Sequence, residues 1–176
     1  GQGTILASDV LVNVGPALGY AAKQAEVHGM SQRGGSVTSH VRWGKAVYSP
    51  LIGAGEVDVF LAFEKAEALR CLPQLRPGAL VVINLQAILP ITVTSGGQPY
   101  PDDARLRACV SAVTGQALYV DGAKLAEDLG NVRAANVALL GALSALMERA
   151  GLVDPAPDAW LKVVSARVPP KYVEVN

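Results

Sequence analysis

Residues 26–36 concentrate chemically active side chains in one short, glycine-rich segment, EVHGMSQRGGS. Glycine lets backbone N–H groups approach a ligand closely, and an arginine guanidinium carries a permanent positive charge with a planar set of donors. The segment therefore predicts a loop that binds an anion. Its candidate ligand-binding residues are Glu26, His28, Gly29, Arg33, Gly34, Gly35 and Ser36. The alternative is a tight turn in which the Arg33 side chain is only solvated.

Two residues are candidates for catalysis. Histidine titrates near neutral pH, so His28 could act as an acid or a base. Glu64 directly follows an apolar run, and open α/β sheets bind ligands outside the carboxyl ends of their strands. Each residue has a structural alternative: a histidine that only packs, and an acid that caps the next helix. The residue pattern assigns a catalytic role to neither.

The elements around these residues follow from the spacing of apolar positions. Residues 20–27 and 37–43 are predicted strands on either side of the glycine-rich segment, and 37–43 alternates in polarity. Next come a buried strand at 57–63, a helix at 64–72 and a second buried strand at 79–84. Continuous apolar strands of this kind are typical of parallel sheets covered on both faces. We therefore expect a single α/β domain with a Rossmann-like, mostly parallel sheet and helices on both faces.

The remaining segments complete this pattern. Asp102 is a predicted N-cap for a helix through residue 113, and a short strand is expected at 117–120. Further helices are predicted at 131–150 and 154–167, with an extended tail at 168–176. The helix that begins after residues 1–3 is expected to be interrupted at residues 15–16, Gly-Pro.

Composition narrows the possible partners and cofactors. Fifteen basic and fifteen acidic residues give no net charge, so nothing favours binding to nucleic acid. No apolar run is long enough for a membrane span, and we expect a cytoplasmic protein. The two cysteines, Cys71 and Cys109, are too few for a four-cysteine iron–sulfur cluster, and no metal site is predicted. With 51% hydrophobic and 17% charged residues, we expect another subunit to cover part of the surface.

A dinucleotide-binding function is one alternative. Gly1 and Gly3 precede a helix-like segment, and Glu26 follows about twenty residues later, as in the nicotinamide-binding fingerprint. The fingerprint requires a small residue where this chain has Leu6, which argues against a stand-alone nicotinamide dehydrogenase. A scaffold module without a catalytic contribution is the other alternative.

Several motifs resemble one known family. They are KQAEVHGMSQRGGSV at 23–37, VYSPLI at 47–52, DVFLAFE at 58–64, LGNVRAAN at 129–136, LGAL at 140–143 and ARVPPKY at 166–172. In this order they resemble the gamma-type domain of 2-oxoacid:ferredoxin oxidoreductases, and within that family the beta subunits of indolepyruvate ferredoxin oxidoreductases. The resemblance covers residues 1–176 as one domain. The hydrophobic strand that opens the family's domain has no counterpart before Gly1, so we expect it to be missing.

The resemblance implies a subunit that works with a larger one. Enzymes of this family oxidatively decarboxylate a 2-oxoacid, such as indolepyruvate or another aryl pyruvate, to an acyl-coenzyme A and pass the electrons to ferredoxin. It implies that thiamine diphosphate and the 4Fe–4S clusters are bound by the larger partner subunit, which ferredoxin also contacts, and that coenzyme A is a co-substrate. The chain alone would then bind none of these cofactors and would be inactive.

Overall fold

A computed structural model describes residues 4–28, 37–97, 99–131, 134–154 and 156–173. The helices are α1 Thr4–Ala17, α2 Lys65–Cys71, α3 Ile91–Thr94, α4 Asp103–Ser111, α5 Gly122–Asp128, α6 Ala135–Arg149 and α7 Pro157–Arg167. The strands are β1 Ala21–His28, β2 Val37–Gly44, β3 Val57–Ala62, β4 Leu75–Asn84 and β5 Ala117–Val120. Single 3-10 turns lie at Leu72–Gln74 and Pro170–Tyr172.

A parallel sheet with β4 in the middle forms the centre of the molecule. Its strand order is β3-β4-β5, and both neighbours pair with β4 in parallel. Side chains alternate along β4, so Leu80 and Val82 face one side while Val81 and Ile83 face the other. All four are buried, which is the burial that a continuous apolar strand predicts.

Helices cover this sheet on both sides. One core contains Leu80 and Val82 of the sheet together with side chains of α1, α6 and α7. The other contains Val81 and Ile83 together with side chains of α2 and α4. The predicted α/β class, with a mostly parallel sheet and helices on both faces, is confirmed.

A separate antiparallel hairpin of β1 and β2 carries the two ends of the predicted anion-binding loop. Its register runs from Ala21 opposite Gly44 to His28 opposite Val37. The hairpin packs on α1, where Trp43 Nε1 donates a hydrogen bond to the Leu11 carbonyl oxygen at 3.0 Å. The predicted strands 20–27 and 37–43 therefore exist, shifted by about one residue at their ends.

The prediction that helix α1 would be interrupted at Gly15 and Pro16 is wrong. Helix α1 continues to Ala17 with Pro16 in its last turn. Gly15 is required there for packing, because a Cβ atom would lie 2.9 Å from two atoms of the Trp43 ring. The glycine therefore marks a close approach between helix and hairpin.

The C-terminal region and α5 also differ from expectation. The tail predicted as extended contains the 3-10 turn Pro170–Tyr172, because proline at the first position of a turn fixes a helical φ. Helix α5 was not predicted. Asp121 caps it by accepting a hydrogen bond from the Lys124 amide at 3.0 Å. Among the described residues, no helix is long and apolar enough to cross a membrane.

Candidate functional site

The two faces of the hairpin have different neighbours. Alternate residues of β1 and β2 face α1, and we call this side the helix face. Gln24 Nε2 donates a hydrogen bond to Ser8 Oγ on this face at 3.4 Å. The residues between those of the helix face point to the opposite side of the hairpin, toward the segment 45–56, and we call this side the loop face. Of the sequence-predicted residues, Glu26 lies half-buried on the helix face, opposite Ser39 in the register.

The predicted anion-binding loop itself falls largely outside the described residues. His28 is the last residue of β1, with its Cα opposite that of Val37. Gly29, Arg33, Gly34, Gly35 and Ser36 belong to the part of the chain that the structure does not describe. Their predicted contact with an anion stays a prediction, although the strand pair brings the two ends of the loop together.

The loop face of the hairpin is tied to the segment 45–56 by three side chains. Lys23 Nζ donates to the Tyr48 carbonyl oxygen at 3.2 Å, and Arg42 Nη2 lies 3.4 Å from Glu56 Oε2. His40 Nδ1 accepts a hydrogen bond from the Ile52 amide at 3.0 Å. Together these bonds hold a segment whose Tyr48 side chain is 92% exposed. An exposed aromatic residue on a fixed segment is typical of a protein–protein interface.

Farther along the loop face, a cleft separates the hairpin from the end of α2. Its volume is about 350 Å³, and we call it the hairpin cleft. The lining residues are Val27, Thr38, His40, Arg70, Cys71 and Gln74. Val27 and Thr38 are paired across the hairpin, one position from where the strands meet the predicted loop. The cleft therefore lies at the root of that loop.

Two side chains of α2 determine the charge of the hairpin cleft. Arg70 Nη1 lies 2.7 Å from Glu67 Oε1, one helical turn away, and a guanidinium has further N–H donors on its other nitrogens. Burial, together with the neighbouring Glu67 carboxylate, raises the pKa of the Cys71 thiol against an opposing effect of Arg70. The thiol is therefore neutral at physiological pH, and the guanidinium is the charged group of the cleft.

Glu64 lies at the carboxyl end of β3, and its contacts are structural. Its side chain is 3% exposed. Oε2 accepts a hydrogen bond from the Glu67 amide at 2.9 Å, which caps α2. Oε1 accepts from the Ile88 amide at 3.3 Å and from the Tyr100 hydroxyl. The capping alternative is thus present in the structure, and a catalytic role for Glu64 stays a prediction.

Other polar groups surround Glu64 at this end of the sheet. Asn84 is buried and accepts a hydrogen bond from the Gly122 amide at 3.1 Å, which joins the end of β4 to α5. Lys65 Nζ lies 2.7 Å from Asp103 Oδ1. The hydrogen bond from Lys65 holds the pKa of the Asp103 carboxyl below its usual value. These contacts bind neighbouring elements together and leave the hairpin cleft as the better candidate for a ligand.

The sequence pattern did not identify Arg70, Gln74 or Thr38 as candidate site residues. They come from β2, α2 and the following turn, and the fold alone brings them together. Arg70 also fits an ordinary exposed helix position beside an acid, so no local signal separates it from a surface arginine. Within the described ranges, no group of three or more His, Cys, Asp or Glu side chains could hold a metal ion.

Comparison with known protein families shows which family the chain belongs to. A family model described as "Pyruvate ferredoxin/flavodoxin oxidoreductase" matches residues 1–176. The chain belongs to this family. The resemblance seen in the sequence motifs is thereby confirmed.

Three archaeal proteins named indolepyruvate oxidoreductase subunit IorB are similar to all or most of this chain. The indolepyruvate oxidoreductase subunit IorB of Thermococcus kodakarensis is 39% identical over 178 residues, which cover 100% of this chain and 86% of that protein. The subunit of the same name from Pyrococcus horikoshii is 40% identical with the same coverage. The one from Archaeoglobus fulgidus is 40% identical over 81% of this chain and 71% of its own length.

A solved structure shares the fold. The gamma subunit of a keto/oxoacid ferredoxin oxidoreductase from Geobacter sulfurreducens superimposes with a TM-score of 0.66. It covers 99% of this chain and 85% of that chain at 22% sequence identity. This similarity shows a common α/β architecture.

Proposed function

We propose that this chain is a subunit of an indolepyruvate:ferredoxin oxidoreductase. The supporting observation is the 39% and 40% identity, over all of the chain, to two proteins named indolepyruvate oxidoreductase subunit IorB. In the reaction, an aryl pyruvate loses its carboxylate as CO₂ and its acyl group forms a thioester with the coenzyme A sulfur. The electron pair that is released passes to ferredoxin. Residues 1–176 form one gamma-type domain of this enzyme.

The larger partner subunit supplies the cofactors in this proposal. That subunit would hold thiamine diphosphate, which would supply the chemistry for cleaving the carbon–carbon bond, and 4Fe–4S clusters, which would supply a path for the electrons. The chain's own thiols do not fit such a cluster, since it has two cysteines and a cluster takes four. Cys71 lies at the end of α2 and Cys109 in α4. The chain is then inactive alone and completes the active site at a subunit interface in the cytoplasm.

The glycine-rich loop is the part of the chain that we place at this active site. Arg33, the flanking glycine amides and His28 at the end of β1 face an anionic group of a bound molecule. The anionic group is the carboxylate of the 2-oxoacid or a phosphate of coenzyme A. The binding residues of this site are Glu26, His28, Gly29, Arg33, Gly34, Gly35 and Ser36. The paired strands β1 and β2 support this role, because they fix both ends of the loop on a rigid element.

Co-expression with a larger subunit that carries thiamine- and iron–sulfur-binding motifs tests the subunit assignment. The purified complex should reduce a viologen dye in a reaction that depends on both an aryl pyruvate and coenzyme A, while each subunit alone is inactive. Pyruvate and 2-oxoglutarate in parallel assays define the substrate class. Failure of the two chains to associate, or full activity of the large subunit alone, would contradict the proposal. The second result would favour a scaffold module.

Arg33 substitutions test the role of the loop. Loss of one charged contact should raise the KM for the aryl pyruvate or for coenzyme A by about tenfold or more in Arg33→Ala. Arg33→Lys should recover only part of the loss, because an ammonium cannot form the bidentate contact. The exposed Arg105 gives a matched control in Arg105→Ala. Unchanged KM values for both substrates in Arg33→Ala would rule out the contact.

A further inference from the structure

The hairpin cleft has the composition of a binding site for an anion. Its lining residues include one permanent cation, Arg70, and three other polar side chains, Thr38, His40 and Gln74. Among the described residues, no carboxylate lines it. Its volume of about 350 Å³ is within the range of small-molecule sites, roughly 300–1,000 Å³. The remaining lining residues, Val27 and Cys71, form an apolar patch.

A backbone contact determines which hydrogen-bonding group of His40 is left for a ligand. The Ile52 amide donates to His40 Nδ1 at 3.0 Å, so the lone pair of Nδ1 is used in this bond and the ring N–H is on Nε2. His40 is a lining residue of the hairpin cleft, so Nε2–H is the group that it can offer a ligand there. A donor of fixed direction is what an oxyanion requires.

Arg70 has N–H donors for a negative ligand, although the Glu67 carboxylate offsets part of its charge. Among the contacts of the described residues, Glu67 Oε1 lies 2.7 Å from Nη1 of Arg70, and a guanidinium has five N–H donors. Cys71 adds no negative charge, because its thiol is neutral for the reasons given above. Arg70, Nε2–H of His40, the Thr38 hydroxyl and the Gln74 amide are thus all able to donate to the same ligand.

We propose that the hairpin cleft binds a small organic anion. Its carboxylate or phosphate group contacts Arg70 and His40, and its apolar part packs on Val27 and Cys71. The site consists of described residues, of which Val27 lies near the start of the glycine-rich segment 26–36. It gives the enzyme a second anion contact at the root of that loop.

The two cysteines provide a direct assay for this site. Cys71 lines the hairpin cleft and Cys109 lies in α4, and both are half-buried. The full chain is labelled with neutral iodoacetamide, and the rate at each thiol is followed by mass spectrometry. The probes are pyruvate, phenylpyruvate and inorganic phosphate, with the methyl ester of phenylpyruvate as the uncharged control. An anion in the hairpin cleft should slow labelling of Cys71 and leave Cys109 unchanged.

Substitution of Arg70 identifies the contact. Arg70→Gln should raise the half-protecting concentration by about tenfold or more, while Arg105→Gln, on an exposed arginine of α4, should not change it. Thr38→Val gives a second variant with unchanged charge and a smaller expected effect. Protection by phosphate alone would identify a phosphate group as the ligand chemistry, and protection by the two oxoacids alone would identify a carboxylate.

Three results would overturn the proposal. They are no protection of Cys71 by any anion, equal protection of Cys71 and Cys109, and protection that is the same in Arg70→Gln or with the uncharged ester. The assay needs neither the larger subunit nor turnover. A negative result would therefore leave the subunit assignment intact, and failure of the subunit assignment would leave this binding test valid.

Discussion

Glutamine at position 64 should destabilise the protein measurably while leaving its shape almost unchanged. The Glu64 carboxylate is 3% exposed and accepts three hydrogen bonds, from the amides of Glu67 and Ile88 and from the Tyr100 hydroxyl. The two amides bond different oxygens. A carboxamide has only one oxygen, so its NH₂ group must face one of the two backbone N–H groups. One partly buried donor is then left without a partner.

The size of the effect follows from that lost partner. An unsatisfied buried donor costs about 1–3 kcal/mol, and loss of the charge weakens the bonds that remain. We expect the free energy of unfolding to fall by about 2 kcal/mol. In a chain of this length, the melting temperature changes by about 2–4 °C for each kcal/mol of unfolding free energy. The expected decrease in melting temperature is therefore about 4–8 °C.

Urea denaturation followed by circular dichroism measures this change. Glu148→Gln is the matched control, since Glu148 is exposed on α6 and its substitution should change stability by less than about 0.5 kcal/mol. Tyr100→Phe removes one of the three donors, and a double-mutant cycle with Glu64→Gln isolates that bond. If Glu64→Gln matched the wild type within the error of the control, the capping role of the carboxylate would be refuted.

Three other substitutions test further parts of the structure. Gly15→Ala places a Cβ atom 2.9 Å from the Trp43 ring. Although alanine has the better helix propensity, the substitution should lower the free energy of unfolding by about 1–2 kcal/mol. A variant as stable as the wild type would contradict this contact. Lys65 lowers the pKa of Asp103, so its stabilising effect is present above the ordinary carboxylate pKa and is lost on acidification. The stability difference between wild type and Asp103→Asn should therefore narrow in urea titrations as the pH falls below about 4 and vanish below the lowered pKa of Asp103, and a difference that does not narrow would refute the ion pair. Tyr48→Ser should leave the melting temperature unchanged, since the Tyr48 side chain is 92% exposed. In calorimetric titrations the variant should bind the larger subunit about tenfold or more weakly, and an unchanged affinity would exclude Tyr48 from the interface.

The central sheet was predictable because its signals are local in the sequence. The apolar run of β4 predicts burial on both sides, and residues 79–83 are indeed all buried. Helix caps are local in the same way. Asp102 was predicted as an N-cap, and it accepts a hydrogen bond from the Arg105 amide at 2.7 Å. The sequence predicted the capping bond of Glu64 as one of two alternatives. It did not predict the bond from Tyr100, because that residue lies on a segment distant in the sequence.

The candidate site was only partly predictable because it depends on tertiary contacts. The strand pair at the ends of the glycine-rich loop follows from alternation in the sequence, and the register confirms both strands. The hairpin cleft arises where this strand pair lies beside α2, and nothing in the local pattern links Arg70 with Thr38. The course of α1 through Gly15 was likewise decided by packing on Trp43.

The packing of the hairpin on α1 and α7 can be followed by tryptophan fluorescence. The chain has two tryptophans, and their ring centroids lie 6.4 Å apart at this junction. Tryptophan emission therefore reports on the junction where the hairpin docks, and through Trp160 also on the core that contains Leu80 and Val82. Detachment of the hairpin would change the emission spectrum while the far-ultraviolet dichroism of the helices persisted. The protein thus carries a built-in optical reporter for the element that presents its glycine-rich loop.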